Sequence, residues 1–437
     1  MITTADILIS NGTILTMDAG NTRIQNGTVA VTGDTIAAIG PSDTFSSWKA
    51  ERRIDAHGGI IMPGLVNTHT HASMTCFRGL ADDLPLMTWL NDHIFPAESK
   101  LDEPMVYQGA LLACAEMILS GTTSFCDMYL FEDAVARAAN HAGMRAVVGE
   151  VLYDFPSPNY GPLDQGFAYT QMLIDKWKND PLITIAVEPH SPYLCAPSLL
   201  KKAFLLAQTH NLPLVIHVSE TQAEVNNCKN QYGLTPIGHL ADLGVLSPHL
   251  LACHCVALTD DDIALLKRFD VKVSHNPESN MKLASGISPV PKLLDAGVCV
   301  GLGTDGCASN NDLDLFLEMD TAAKLHKVGT LDPTVTDAVS VLRMATIDGA
   351  RAIGLGKVTG AIEAGKKADI IVIDTRKPHL TPMYHPESHL VYAAKGSDVD
   401  TTIINGRVVM ENGRLLTIDV GKAMADVIAV SKRIKTD

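Results

Sequence analysis

Eight continuous aliphatic runs, separated by segments of helical periodicity, leave this chain few folds to adopt. The runs fall at 60–66, 122–126, 145–151, 183–187, 214–217, 250–254, 271–273 and 298–302, with amphipathic segments between them at 104–119, 132–142, 197–210 and 260–269. A strand with one wet face alternates apolar and polar residues. These runs do not alternate, so the sheet they form is parallel and covered on both sides. The simplest closure of eight such strands is a (β/α)8 barrel of the TIM type. A doubly wound open sheet is the alternative, but it would announce a Gly-rich phosphate turn after its first strand, and none is present. In a barrel of this kind the chemistry sits at the C-terminal ends of the strands.

Both chain ends have a different texture. Short strand-like runs punctuated by Asn11-Gly12 and Gly33-Asp34 fill residues 6 to 60, and similar runs return at 368–374 and 402–413. The expected division is a small β-sandwich domain built from 1–60 and 366–437, around a catalytic barrel at 61–365. A length of 437 residues fits one large domain with a smaller attachment.

The first run ends in Asn67-Thr68-His69-Thr70-His71. Residues i and i+2 of a strand face the same way, so His69 and His71 aim at a common point. Later runs end in the same currency: His190 after the fourth, His217 with Glu220 after the fifth, His254 after the sixth and Asp305 after the eighth. Three neutral imidazoles and one carboxylate suit Zn²⁺, one per subunit, with Fe²⁺ and Mn²⁺ as open alternatives. His69, His71, His217 and Asp305 are the expected ligands. The fourth run holds no lysine to bridge a second metal, which favours a mononuclear site.

A metal-activated water must lose a proton and a leaving group must gain one. Glu220 is placed to shuttle it, and Asp305 to accept it through its second oxygen. His254 reads as a hydrogen-bond partner for the nucleophile, with ligation of a second metal as the alternative. The other histidines, His275 among them, lack placement at a strand end and read as structural or surface residues.

Composition excludes several classes of function. A formal charge of −15 argues against nucleic acid or an anionic membrane as partner, and points to a small-molecule ligand. Nine dispersed cysteines without a CxxC pair fit a reducing cytoplasm. No run reaches the roughly 18 apolar residues of a membrane span, and no basic segment precedes a hydrophobic one at the N-terminus. A barrel with a small β domain often self-associates, so a homo-oligomer is an open expectation.

With His-Thr-His, His-Val-Ser-Glu, Cys253-His254-Cys255 and Gly303-Thr304-Asp305-Gly306 in this order, the chain resembles the amidohydrolase superfamily over nearly its whole length. Within it, residues 77–90, 94–98 and 275–283 look like the deaminases of 5′-methylthioadenosine and S-adenosylhomocysteine. The resemblance implies hydrolytic deamination of an adenosine-type nucleoside thioether, with Glu98 holding the ribose hydroxyls and His190 touching purine or ribose. Members of that group often carry an arginine in the loop after the third strand. Residues 151–160 contain none, which weighs against a homocysteine carboxylate and leaves a neutral nucleoside or thioether acceptable. The rivals are an aminohydrolase or chlorohydrolase acting on a triazine, guanine or pterin ring, and a non-catalytic barrel scaffold.

Overall fold

The computed structural model describes residues 3–435, apart from the side chain of Leu86. Eight parallel strands form the barrel: β1 (Leu65–Thr70), β2 (Thr122–Tyr129), β3 (Arg145–Leu152), β4 (Ile183–Ile185 continued by Glu188–Pro189), β5 (Leu214–Val218), β6 (Leu250–His254), β7 (Lys272–His275) and β8 (Val300–Leu302). Every residue of β1, β2, β3, β5 and β6 is buried, as unalternating runs require. Parallel ladders join β1 through β4 and β5 through β8. A parallel bridge from Val187 to Leu214 joins the two halves.

The ring closes between β8 and β1 without a long ladder. Asp305 N–H donates to the His69 carbonyl (2.9 Å), and Thr304 N–H to Asn67 Oδ1 (3.1 Å). The approach is close enough to demand glycine: a Cβ at Gly303 would lie 2.8 Å from the His69 nitrogen, and one at Gly301 2.4 Å from Thr68 Cγ2.

Helices Glu103–Leu119, Glu132–Ala142, Pro197–His210 and Asp260–Arg268 occupy the predicted amphipathic segments. Their starts are fixed locally. Asp102 accepts from Met105 N–H, and Thr259 forms a capping box with Asp262, each cap contributing about 1 kcal/mol.

Two strand expectations need correction. The run at 60–66 is two strands, because the chain changes partners at Gly64. Ile60–Pro63 pairs with Thr13 and Ile14 and with Ile370–Ile373, whereas Leu65 N–H turns to the Gly121 carbonyl in the barrel. A Cβ at Gly64 would meet the Thr123 side chain at 2.1 Å, so only glycine fits the crossing. Residues 61–63, expected in the barrel, therefore hydrogen-bond into the other sheet. The seventh strand also runs further than 273, so that His275 ends it. That histidine is fully buried, with Nε2 3.0 Å from Nε2 of His326.

The chain ends meet in one nine-stranded sheet, with Thr4–Leu15 paired to Arg23–Thr32, Lys49–Asp55 and Ile60–Pro63. The sheet curls until Thr35 bridges Lys367, and Ile9, Val29 and Ile61 share a core with Ile370, Val372 and Ile403. Arg145, the first residue of β3, is anchored to this sheet. Its Nε and Nη2 reach the two oxygens of Asp369 (2.8 and 3.1 Å), Nη2 also donates to Asn405 Oδ1, and Nη1 donates to the Pro181 carbonyl. All nine cysteines are unpaired thiols. Among the described residues no helix is long and apolar enough to cross a membrane.

Candidate metal centre and active site

The strand pleat brings His69 and His71 to one face of β1, their ring centroids 4.9 Å apart. From β5, the ring of His217 comes to 4.9 Å from His69 and 5.5 Å from His71. Beyond β8, Asp305 Oδ1 lies 3.1 Å from His71 Nε2 and 3.6 Å from His69 Nε2. Ligand atoms of His69, His71 and His217 all fall within 4.8 Å of one another, and so do those of His69, His254 and Asp305. The four expected ligands and His254 are thus brought together at one pole of the barrel.

Each group is aimed by a neighbour. Nδ1 of His71 lies 2.5 Å from the Met128 carbonyl, and Nδ1 of His217 lies 2.8 Å from the His190 carbonyl. Both Nδ1 atoms must donate to those carbonyls, which points each Nε2 toward the common centre. Asp305 Oδ2 accepts from the hydroxyls of Ser279 (2.6 Å) and Ser309 (2.9 Å), and Oδ1 from Gly306 N–H (2.9 Å). Asp305 and His254 hold left-handed backbone, with φ of 59° and 73°. Strain of about 1–3 kcal/mol at a non-glycine residue is a mark of functional sites.

The donor set fits a metal ion. His69 is fully buried, yet neither ring nitrogen has a hydrogen-bond partner, an arrangement that costs free energy unless something electrophilic completes it. Burial, reinforced by neighbouring histidines, pushes His69 and His217 well below their ordinary pKa, so both present the neutral imidazole that ligation needs. Burial alone would raise the Asp305 carboxyl; the hydrogen bond to His71 and the charge of His71, itself raised to about 9, outweigh it and hold Asp305 well below the usual carboxylate range.

The remaining expected residues line the same pocket. Glu220 Oε2 lies 4.0 Å from His254 Nε2, and Oε1 accepts from Ser285 (3.3 Å). His254 Nδ1 lies 3.0 Å from Asn280 Oδ1 and 3.3 Å from Asn276 Nδ2, which anchors the ring with Nε2 turned toward Glu220. The His190 ring stands 4.7 Å from that of His217, with Nδ1 3.0 Å from Ser191 Oγ. Glu98 ends the short helix Phe95–Glu98 and faces the pocket beside Tyr129. Burial pushes its carboxyl up to about 7.

Several participants escaped the sequence reading. Glu224, one turn beyond Glu220, accepts the N–H groups of Ser219 (2.9 Å) and Glu220 (2.8 Å) and so fixes the turn that presents the acid. The i, i+4 spacing of the two glutamates was the available signal. Behind the ligands lie four fully buried carboxyls, Asp127 on β2, Glu150 on β3, Glu188 on β4 and Glu132 at a helix start. They are hidden in runs that otherwise read as core.

The chain belongs to the amidohydrolase family, whose sequence profile matches residues 60–409. A relative from Syntrophobacter fumaroxidans, a 5-methylthioadenosine/S-adenosylhomocysteine deaminase, is 60% identical over 99% of both chains. A 5′-deoxyadenosine deaminase from Methanosarcina acetivorans is 48% identical over 98% of both. Among solved structures, an adenosine deaminase from Xanthomonas campestris with bound zinc superposes over the full length of both chains, with a TM-score of 0.98 at 39% identity.

Proposed function

We propose that this chain hydrolytically deaminates the adenine ring of a nucleoside thioether, 5′-methylthioadenosine or S-adenosylhomocysteine, with adenosine as a further candidate, giving the inosine analogue and ammonia. A single zinc ion held by His69, His71, His217 and Asp305 would supply Lewis acidity that makes water nucleophilic near neutral pH. The observation that carries the reading is the convergence of those four residues with Glu220, His254 and Glu98 in one pocket.

Glu220 takes a proton from the attacking water and delivers it to N1 of the purine as oxygen bonds to C6. His254 donates or accepts a hydrogen bond at the incoming oxygen, and Asp305 receives its remaining proton and passes it to the amino group. C6 is then tetrahedral. Collapse expels ammonia and leaves the carbonyl of the hypoxanthine ring, so one water is consumed for each ammonia released. Glu98, when ionised, accepts from both ribose hydroxyls, and His190 contacts purine or ribose.

The test incubates zinc-loaded protein with adenosine, 5′-methylthioadenosine and S-adenosylhomocysteine, following adenine absorbance and ammonia. Turnover of at least one is expected, falling by about 10²–10⁴-fold in Glu220→Gln with zinc content intact. Activity of Glu98→Ala equal to that of the parent would point instead to a flat ring without a diol, such as a triazine or guanine.

A further inference from the structure

The proposed reaction passes its protons through Glu220, His254 and Asp305, which follow three different strands and must stand in register with one another. Their side chains do not ensure this. The last torsion of an aspartate, glutamate or histidine is broad and roughly two-fold, so each group swings about it unless something outside pins it. Gly306 and Ser309 bond Asp305, and Glu224 holds the turn of Glu220, but these neighbours belong to the same loops and move with the groups they hold.

A fourth strand supplies the missing reference. β7 carries none of the four proposed ligands, and His275 at its end turns to His326. The segment that follows, residues 276–288, reaches each of the three groups. Ser279 Oγ donates to Asp305 Oδ2 at 2.6 Å, the length of a charge-assisted bond. Asn280, the next residue, places Oδ1 3.0 Å from His254 Nδ1, and Ser285 Oγ donates to Glu220 Oε1 at 3.3 Å. Ser279 and Asn280 are fully buried. The segment is itself tied down: Glu278 accepts from Thr321 on the helix Leu315–Thr330 (2.7 Å), Ser285 N–H donates to the Asn280 carbonyl (2.9 Å), and buried Ser288 donates to the Cys255 carbonyl beside His254 (2.8 Å).

We propose that the segment after β7 is the frame that registers the proton-handling groups, with Ser279, Asn280 and Ser285 as positioning residues for Asp305, His254 and Glu220. The inference rests on the deaminase reading given above. Asp305 shows why the frame serves proton transfer more than ligation. Oδ1, the oxygen that faces His71 and His69, keeps its bond from Gly306 N–H, while Ser279 acts on Oδ2. Loss of the Ser279 hydroxyl therefore loosens the angle of the carboxylate and leaves the oxygen facing the histidines in place.

The test compares Ser279→Ala and Ser285→Ala, each of which removes one hydroxyl, with the zinc-loaded parent on whichever of adenosine, 5′-methylthioadenosine and S-adenosylhomocysteine the parent deaminates. For Ser279→Ala, kcat is expected to fall by about tenfold to a hundredfold with KM within about twofold of the parent. Its zinc content by elemental analysis and its circular dichroism should match the parent. Ser285→Ala is expected to lower kcat by about threefold to tenfold. Combined with Glu220→Gln it should cost nothing further, because a residue that acts through Glu220 has no route once the acid is gone. A kcat within about twofold of the parent in both single variants overturns the frame. So does zinc lost in proportion to activity in Ser279→Ala, and so does a double variant in which the two losses multiply. Should Ser279→Ala not fold, the Ser285 pair decides alone. A parent that turns over none of the three nucleosides overturns the deaminase reading itself, and this inference with it.

Discussion

The two poles of the barrel both bury ionisable groups, and they treat them in opposite ways. At the N-terminal pole, Arg145 spends its guanidinium on Asp369, Asn405 and the Pro181 carbonyl. At the C-terminal pole, His69 has two unpartnered nitrogens. One pole spends its polar groups on stability. The other withholds them for something the chain itself does not contain, and this difference locates the function more firmly than any single residue does.

The largest effect expected from this contrast is at His69. His69→Leu removes a ligand and should lower turnover by about a thousandfold or more, with matching loss of zinc by elemental analysis. Because the leucine replaces two unsatisfied buried nitrogens with a side chain of similar size, the metal-free variant should unfold in urea no earlier than the metal-free parent. Earlier unfolding would break the contrast. The opposite pole should answer in the opposite way: Arg145→Met leaves Asp369 buried without its partner, at a cost of about 3–5 kcal/mol, while kcat of the folded fraction holds. Replacing both partners, Arg145→Met with Asp369→Leu, should recover most of that loss.

Between the poles, Glu150 sharpens the picture with a smaller, pH-dependent effect. Burial pushes its carboxyl up to about 7 against a usual 4.5, although Glu132 N–H and Asn159 both donate to it. A raised folded-state pKa in an acid means that the unfolded chain releases the proton first as pH climbs. This group's contribution is therefore intact below about pH 4.5 and lost by about pH 7, to the extent of about 3 kcal/mol. Glu150→Gln should match the parent in urea midpoint at the acid end and exceed it above neutrality; parallel curves across the range would refute the assignment.

The proposed ligand set was legible because it lies in the backbone pattern. Alternation along a strand pairs His69 with His71, and the fourth, fifth, sixth and eighth runs each lead into a histidine or aspartate. What escaped depends on contacts across the chain. The break at Gly64 is set by the Thr123 side chain, which no local pattern in 60–66 encodes. The Met128 and His190 carbonyls that orient His71 and His217 carry no side-chain signature at all. Glu188 stood in view on the fourth strand, but only its contact with the space above Gly149, where a Cβ would lie 2.5 Å from its carboxyl carbon, shows that it points into the interior.

The Arg145–Asp369 pair also bears on timing. Its partners are 224 residues apart, and Ile60–Pro63 likewise waits for Ile370–Ile373 before its outer edge is covered. During synthesis the third barrel strand leaves the ribosome long before the residue that neutralises its guanidinium. The barrel therefore has no fully satisfied state until residues 369–373 have been made, however early its own strands emerge. A chain ending at residue 365 should accordingly remain open to protease, whereas one that includes Asp369 and Asn405 should be closed to it.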